Sequence, residues 1–315
     1  MKKGIVVVPD DFKGVDWVEK VRAAGLNTLG MHSGGGAAHD IFEVLGEYGE
    51  DAFRQRVKDA GLDLEYELHA SRNLMPEALF ETHPEYFMQT LRSLKRVKGH
   101  NWCVTNPDAL AVLAENGAEI IRRLPSTTNC NFLWASDTAG GSWCNCRNCT
   151  PLSPSEQNLT VFNAVARRAR QDNPDAKVCY LAYYDTMDAP RLVKPEPNVI
   201  CEFAPYQRSF EYAICDSRSA ANRKYMKHLL ELLEIFGADK MHILEYWLDG
   251  SLYGQPGDLH RSPFNREIAE EDIRFYTSLG IRNITTFAVR MDGEYLKKHG
   301  DREFQEYAEI LAKYE

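Results

Sequence analysis

The sequence predicts an α/β fold, a (β/α)8 TIM barrel with a long insertion after its third strand. Three observations predict it. Strand-like and helix-like segments alternate from end to end, the pattern of a parallel sheet. Eight strand-like runs can be counted, the number that closes a barrel. The chain has 315 residues, long for an ordinary domain but right for one barrel of ~250 residues carrying insertions. No composition shift or linker interrupts it, and no solenoid or propeller period is visible. Residues 1–315 therefore read as a single barrel domain.

The elements follow in order. Residues 4–10 form the first strand, and 15–24 a helix that stops at Gly25. Residues 26–32 form the second strand, which runs into Ser33-Gly-Gly-Gly36. That run reads as a flexible turn, because no Lys-Ser/Thr follows to complete a phosphate loop. Residues 37–60 have helical periodicity and end at Gly61, and 62–69 form the third strand. The insertion, about residues 70–106, would lie over the face where barrel loops serve function. Asn106-Pro107-Asp108 opens a helix through Leu124, with proline near its first turn. The fourth strand is Asn129-Cys-Asn-Phe-Leu-Trp-Ala-Ser-Asp137, an apolar run that ends in a carboxylate. Residues 153–172 hold the next helix, 176–185 the fifth strand and 198–206 the sixth. A strong helix over 218–236 stops at Gly237 and leads to the seventh strand, 240–249. A helix over 268–279, an eighth strand over 281–292 and a helix over 303–314 close the ring.

Net charge is −9, with no basic block. Phosphate neutralisation needs clustered Lys and Arg, so nucleic acid and anionic membranes are not the expected partners. No apolar run approaches the ~20 residues of a membrane span. Met1-Lys-Lys3 is followed by a short apolar run and then by Asp10 and Asp11, unlike a secretory leader. Of the eight cysteines, Cys130, Cys179 and Cys201 sit inside apolar strand-like runs, where a reduced thiol behaves as a small hydrophobe. A reducing, cytoplasmic setting is expected. Self-association, as a homo-oligomer, is left open by the sequence.

A barrel presents its chemistry at the C-terminal ends of its strands. Polar groups collect there: Asp10, His32, His69, Asp137, Asp185, Tyr206, Glu245 with Trp247, and Arg290 with Asp292. Asp137 and Glu245 end the fourth and seventh strands. Two carboxylates across one sugar are what glycoside cleavage needs: one protonates the leaving oxygen, the other attacks carbon or activates water. Glu245 lies inside the apolar run His242-Ile-Leu-Glu-Tyr-Trp247, where a carboxylate must find a partner or be pushed upward in pKa. The competing reading makes Asp137 a turn cap and pairs Glu245 with Arg290. Tyr206 and Trp247, at strand exits, offer flat faces to sugar C–H groups. His32, His69, Asp185 and Arg290 would contact hydroxyls or a substrate carboxylate, which an arginine fork grips with two bonds.

Cys144-x-Cys146-x-x-Cys149 is the sharpest local signal. Three thiols this close can reach one tetrahedral ion, and zinc is the usual occupant. A structural zinc pinning the loop after the fourth strand is expected. The fourth ligand would come from Cys103, Cys215 or a histidine.

Together, His83-Pro-Glu-Tyr-Phe87, Trp102-Cys-Val-Thr-Asn-Pro107, Asp137 with the thiol motif, Leu181-Ala-Tyr-Tyr184 and Pro197-Asn-Val199 resemble domain of unknown function 4838. That family comprises bacterial, carbohydrate-associated barrel proteins. The resemblance implies a relation to barrel glycosidases similar to hexosaminidase families 20 and 84 and α-glucuronidase family 67. The hexosaminidases carry an acidic pair at the end of the fourth strand, whereas here Asp137 is followed by Thr138.

These expectations converge on a glycoside hydrolase acting on a small carbohydrate, with Asp137 as general acid and Glu245 as nucleophile or base. Two alternatives stand beside it. A divalent-metal sugar isomerase or epimerase would use Asp137, Asp185, Glu202, Glu245 and His69 as ligands. A non-catalytic carbohydrate-binding barrel would use the same mouth without turnover.

Overall fold

The computed structural model describes residues 1–34, 39–252 and 259–314. Its eight strands are parallel and close into a barrel in sequence order. They are β1 Lys2–Val7, β2 Thr28–His32, β3 Asp63–His69, β4 Cys130–Trp134, β5 Lys177–Ala182, β6 Val199–Phe203, β7 Met241–Glu245 and β8 Asn283–Phe287. The α-helices are α1 Trp17–Ala23, α2 Ile41–Leu45, α3 Asp51–Asp59, α4 Ser71–Leu74, α5 Pro107–Arg123, α6 Pro154–Asp172, α7 Ala220–Phe236, α8 Arg266–Ser278, α9 Gly293–His299 and α10 Arg302–Leu311. The TIM-barrel expectation holds, as does the long insertion after β3.

Local chemistry sets the helix starts. Asn106 caps α5 by accepting from Asp108 and Ala109 N–H, with Pro107 as its first residue. Ser153 and Glu156 form a reciprocal capping box at α6. Asp292, expected at the mouth, instead caps α9 by accepting from Glu294 and Tyr295 N–H. One expected helix differs. The periodic stretch 37–60 breaks into α2 and α3, because Gly46 takes a left-handed φ of 51°. Between β5 and β6 only a 3-10 turn, Tyr184–Thr186, occurs among the described residues. Pro190, Pro195 and Pro197 keep that connection from becoming helical. Of the run Ser33-Gly-Gly-Gly36, Gly35 and Gly36 lie outside the described residues.

The chain packs as two compact units. One comprises Met1–His32, Asp51–Glu65 and Glu202–Glu315, the other Ser33–Glu50 and Tyr66–Cys201. In the first, strand register decides which side chains face the lumen. Lys2 Nζ donates to Glu65 Oε1 at 2.7 Å and lies 3.1 Å from His242 Nδ1. Glu65 and His242 belong to strands that do not adjoin β1, so these three groups meet across the lumen. Side chains alternate along a strand, and the register pairs Lys2 with Asn283, and Asn283 with His242. Gly4, Val6, Thr285, Phe287, Leu244 and Tyr246 therefore share the lumen face. Gly4 is required there, because a Cβ would sit 2.5 Å from the Thr28 carbonyl oxygen. Ile5, Ile243, Glu245 and Thr286 face the helices instead.

Candidate functional site

That parity corrects the placement of Glu245. Its side chain does not look into the barrel mouth but into the layer between β7 and α8, where it is completely buried. Tyr276 of α8 donates its hydroxyl to Glu245 Oε1 at 2.6 Å, and Arg208 Nη1 donates to the same oxygen at 2.7 Å. Arg208 Nη1 also donates to Asp272 Oδ2 at 2.7 Å, and Trp247 Nε1 donates to that oxygen at 3.1 Å. Burial pushes the Glu245 carboxyl up in pKa, and the Arg208 guanidinium opposes the shift. A group sealed this way cannot act as a nucleophile on a sugar. Trp247 is likewise corrected: it is buried against Tyr307 of α10, with ring centroids 5.9 Å apart, and offers no face to a ligand. Arg208 was invisible in the sequence, since a lone arginine in Tyr206-Gln-Arg-Ser-Phe210 carries no signal.

The rest of the first unit's strand ends hold two groups. His32 packs edge-on against Phe287 at 5.1 Å, Tyr246 lies 5.2 Å from Phe287, and Tyr206 meets Tyr246 edge-on at 5.3 Å. Tyr206 is half-buried and His32 buried in this aromatic group. The second group is acidic. Asp11 accepts Val8 N–H at 2.8 Å and Arg290 N–H at 2.7 Å, and burial pushes its carboxyl up to about 7. Asp249, near Arg290, is pushed up to about 6 by burial. Arg290 is thus beside carboxylates of its own chain. The sequence pointed to Asp10, one residue early; Asp10 is exposed and pairs with Lys13 at 2.9 Å.

In the second unit the ends of β3, β4 and β5 form a narrow cleft lined by His69, Ser136, Thr138, Trp143, Asn158, Tyr183, Tyr184 and Asp185. His69 donates its Nδ1 proton to the Ala135 carbonyl at 2.8 Å, which leaves Nε2 as the basic nitrogen of the neutral ring. Burial lowers the His69 pKa, and the nearby Asp137 carboxylate opposes that shift. His69 and Asp185 are thus brought together with two tyrosines that the sequence had placed at the fifth strand, while Asp137 sits between the lining residues Ser136 and Thr138 and acts on His69. Asp137 and Asp185 are both half-buried and reach the surface. Asp185 receives Gly140 N–H on its two oxygens at 3.1 and 3.0 Å, tying the β5 end to the loop after β4. Tyr184 holds a left-handed φ of 44°, a backbone cost that a bulky residue bears only where its surroundings enforce it. Asn158, which lies on α6, is buried and lines the cleft floor, has no local signal in the sequence.

Beside this cleft the thiols assemble. Cys144, Cys146 and Cys149 are joined by Cys103, and the four sulfurs lie within 4.8 Å of one another, all buried. Cys103 therefore supplies the fourth position; Cys215 lies elsewhere, with its thiol 3.9 Å from Glu271. Cys103 Sγ is 3.7 Å from Cys146 Sγ and 3.9 Å from Cys149 Sγ. A tetrahedron with metal–sulfur bonds of ~2.3 Å has edges of ~3.8 Å, so this spacing fits one ion. Outer donors suit thiolates too. Gln89 N–H and Arg96 Nη1 donate to Cys144 Sγ at 3.4 and 3.5 Å, and the Thr105 hydroxyl lies 3.1 Å from Cys149 Sγ. Among the described residues, this is the one set of three or more His, Cys, Asp or Glu ligands close enough to share an ion. Among the described residues, no carboxylate and histidine set of the kind an isomerase metal would need comes within reach of one ion.

No curated protein matches the sequence. Solved structures share the fold. A β-N-acetylhexosaminidase from Bacteroides fragilis NCTC 9343 superposes with a TM-score of 0.59 at 13% identity, over 98% of this chain and 66% of its own. A chitinase from Rhizomucor miehei gives 0.57 at 9% identity, over 98% of this chain and 100% of its own. A β-galactosidase from Rahnella sp. R3 gives 0.56 at 12%, over 99% of this chain and 56% of its own. The chain thus spans just under two thirds of the hexosaminidase and about half of the galactosidase. No described helix is long and apolar enough to cross a membrane. The family model described as domain of unknown function (DUF4838) matches residues 44–309, most of the length, and the chain belongs to that family.

Proposed function

We propose that the protein hydrolyses a glycosidic bond of a small carbohydrate in the cleft at the ends of β3, β4 and β5. One observation carries this reading: Asp137 follows the end of β4 between Ser136 and Thr138, which line a cleft with His69, Asp185, Tyr183, Tyr184 and Trp143, and its carboxylate is close enough to act on His69. Asp137 is the general acid that protonates the leaving oxygen. Asp185 is the second carboxylate, replacing Glu245, and orients water or the substrate's own attacking group. The aromatic rings carry the apolar face of the sugar, while His69 Nε2 and the Ser136 and Thr138 hydroxyls bond its hydroxyls. The solved hexosaminidase, chitinase and galactosidase that share this fold favour a carbohydrate ligand. A non-catalytic carbohydrate-binding barrel is the second reading, favoured by the sealing of Glu245 on the helix side of β7.

Turnover of a panel of phenyl and alkyl glycosides, whose leaving oxygens need a proton, tests the proposal. Hydrolysis of at least one sugar, lost in Asp137→Asn with sugar binding retained, supports it. Saturable binding without turnover across the panel supports the second reading instead.

The four thiols we assign to a structural zinc, held by Cys103, Cys144, Cys146 and Cys149. A closed set of four thiolates leaves no open position for substrate, so its contribution is to fold rather than to chemistry. Elemental analysis of the purified chain tests this, with one zinc per chain expected.

A further inference from the structure

The loop that carries Asp137 is held from within only at short range: Thr138 N–H donates to the Ser136 carbonyl at 2.9 Å, and the Ser136 and Thr138 hydroxyls lie 2.9 Å apart. After Thr138 it continues as Ala139-Gly140-Gly141, with both glycines at left-handed φ of 72° and 75° and nothing within van der Waals reach of a Cβ on either. Asp185 holds Gly140 N–H on the β5 side; glycine pairs at the surface are conformationally free, so the place of Asp137 on the other side is set by a second clamp. The insertion after β3 supplies one. Asn101 is completely buried, and each of its polar groups has a partner. Its Oδ1 accepts Ser136 N–H at 2.9 Å, Nδ2 donates to the Ser142 hydroxyl at 3.3 Å, and its own N–H donates to the Ser142 carbonyl at 3.3 Å. Its carbonyl accepts Met88 N–H at 3.2 Å. Ser142, also buried, donates its hydroxyl to the Thr138 carbonyl at 3.1 Å. Asp137 is therefore bracketed: Ser136 is gripped by Asn101, and Thr138 by Ser142.

The same two residues lead directly to the thiols. Asn101 stands two positions before Cys103, and Ser142 two before Cys144. Cys103 and Cys144 belong to different segments that one ion would tie together. Asn145 N–H donates to the Gln89 carbonyl at 2.8 Å and completes the seam.

We propose that Asn101 is a positioning residue that couples the four-thiol centre to the Asp137 loop, so that metal occupancy sets where Asp137 stands beside His69. The proposal rests on the reading of this cleft as the functional site and of the thiols as metal ligands. Physically it is a two-point clamp: the ion fixes Cys103 against Cys144, and Asn101 carries that fixation one step further to Ser136. A buried amide whose oxygen and nitrogen both have partners transmits position well, because a shift leaves a polar group unpaired at a cost.

The test uses the full chain, as purified, and its reporter is the His69 ring followed by NMR across pH. His69 faces the Ala135 carbonyl, Asp137 and His39. The first two raise its pKa, so displacement of 135–137 lowers the midpoint. Asn101→Ala is expected to keep the metal content of the wild type and to shift the His69 midpoint down. Ser142→Ala, a milder change, shifts it less in the same direction and serves if Asn101→Ala does not fold. Stripping the metal with a chelator shifts the midpoint as Asn101→Ala does. An unchanged His69 midpoint in a folded Asn101→Ala or Ser142→Ala variant overturns the positioning role. An unchanged midpoint after complete metal removal overturns the coupling. Wild-type protein without metal, in which Asn101→Ala still moves His69, overturns the metal assignment alone and supports the clamp.

Discussion

Replacing Glu245 separates the two roles open to it, and the structure sets the size of the effect. Glu245, Arg208 and Asp272 have side chains with no solvent exposure. Arg208 keeps Asp272 as its counter-ion when Glu245 is removed, so the cost comes from hydrogen bonds that go unmade. Arg208 and Tyr276 each lose an acceptor at ~1–3 kcal/mol per buried group, so Glu245→Ala costs ~3–5 kcal/mol. For a chain of this length, ~1 kcal/mol moves the melting temperature by about 2 °C. Calorimetry should therefore show Glu245→Ala melting roughly 6–10 °C below wild type. Glu245→Gln keeps the volume and one acceptor for Arg208 and Tyr276, and costs ~1–3 kcal/mol. Its turnover on whatever glycoside the wild type cleaves should stay within a few fold. A Glu245→Ala variant that melts with the wild type would refute the buried-network reasoning. So would a Glu245→Gln variant that is stable but inactive, since that pattern belongs to a residue touching substrate.

Three further outcomes follow from the same physics. Asp11 is protonated more readily in the folded chain, near 7, than in the unfolded chain, near 3.8. Its contribution is therefore fully present below pH ~4 and lost as pH rises through ~7; Asp11→Asn should flatten that decline in urea unfolding midpoints between those values. Gly4→Ala places a methyl 2.5 Å from the Thr28 carbonyl oxygen inside the barrel, and overpacking of this kind costs ~1–3 kcal/mol or more, readable as a lower denaturation midpoint. Cys149→Ser breaks a four-thiolate set, so its metal content by elemental analysis should fall well below that of the wild type and its insertion should become sensitive to protease.

The barrel was legible because its strands are short apolar runs between glycine stops and helix caps. The insertion was legible because no periodic pattern fills residues 70–106. What failed was strand parity. Every residue of His242-Ile-Leu-Glu-Tyr-Trp247 is buried, so no polar–apolar alternation in the sequence could say which of them faces the lumen. A slip of one position sends a side chain to the opposite face, and that is the difference between Glu245 at a mouth and Glu245 behind the wall. Asp10 and Asp11 repeat the lesson within a 3-10 turn. The thiol motif was read from spacing alone, yet its fourth member, Cys103, arrives through tertiary structure. Asn101 and Asn158 carry no local signature, because a buried asparagine is recognised only by the groups around it.

The central claim is that Asp137 donates a proton to a leaving oxygen, and leaving-group dependence measures this most directly. Rates of wild type and Asp137→Asn on aryl glycosides of one sugar should diverge as the phenol becomes less acidic. The variant should lose ~10²–10⁴-fold on poor leaving groups and far less on activated nitrophenols, which need no proton. Equal losses across the whole series, or no loss at all, would contradict the assignment of Asp137 as the acid.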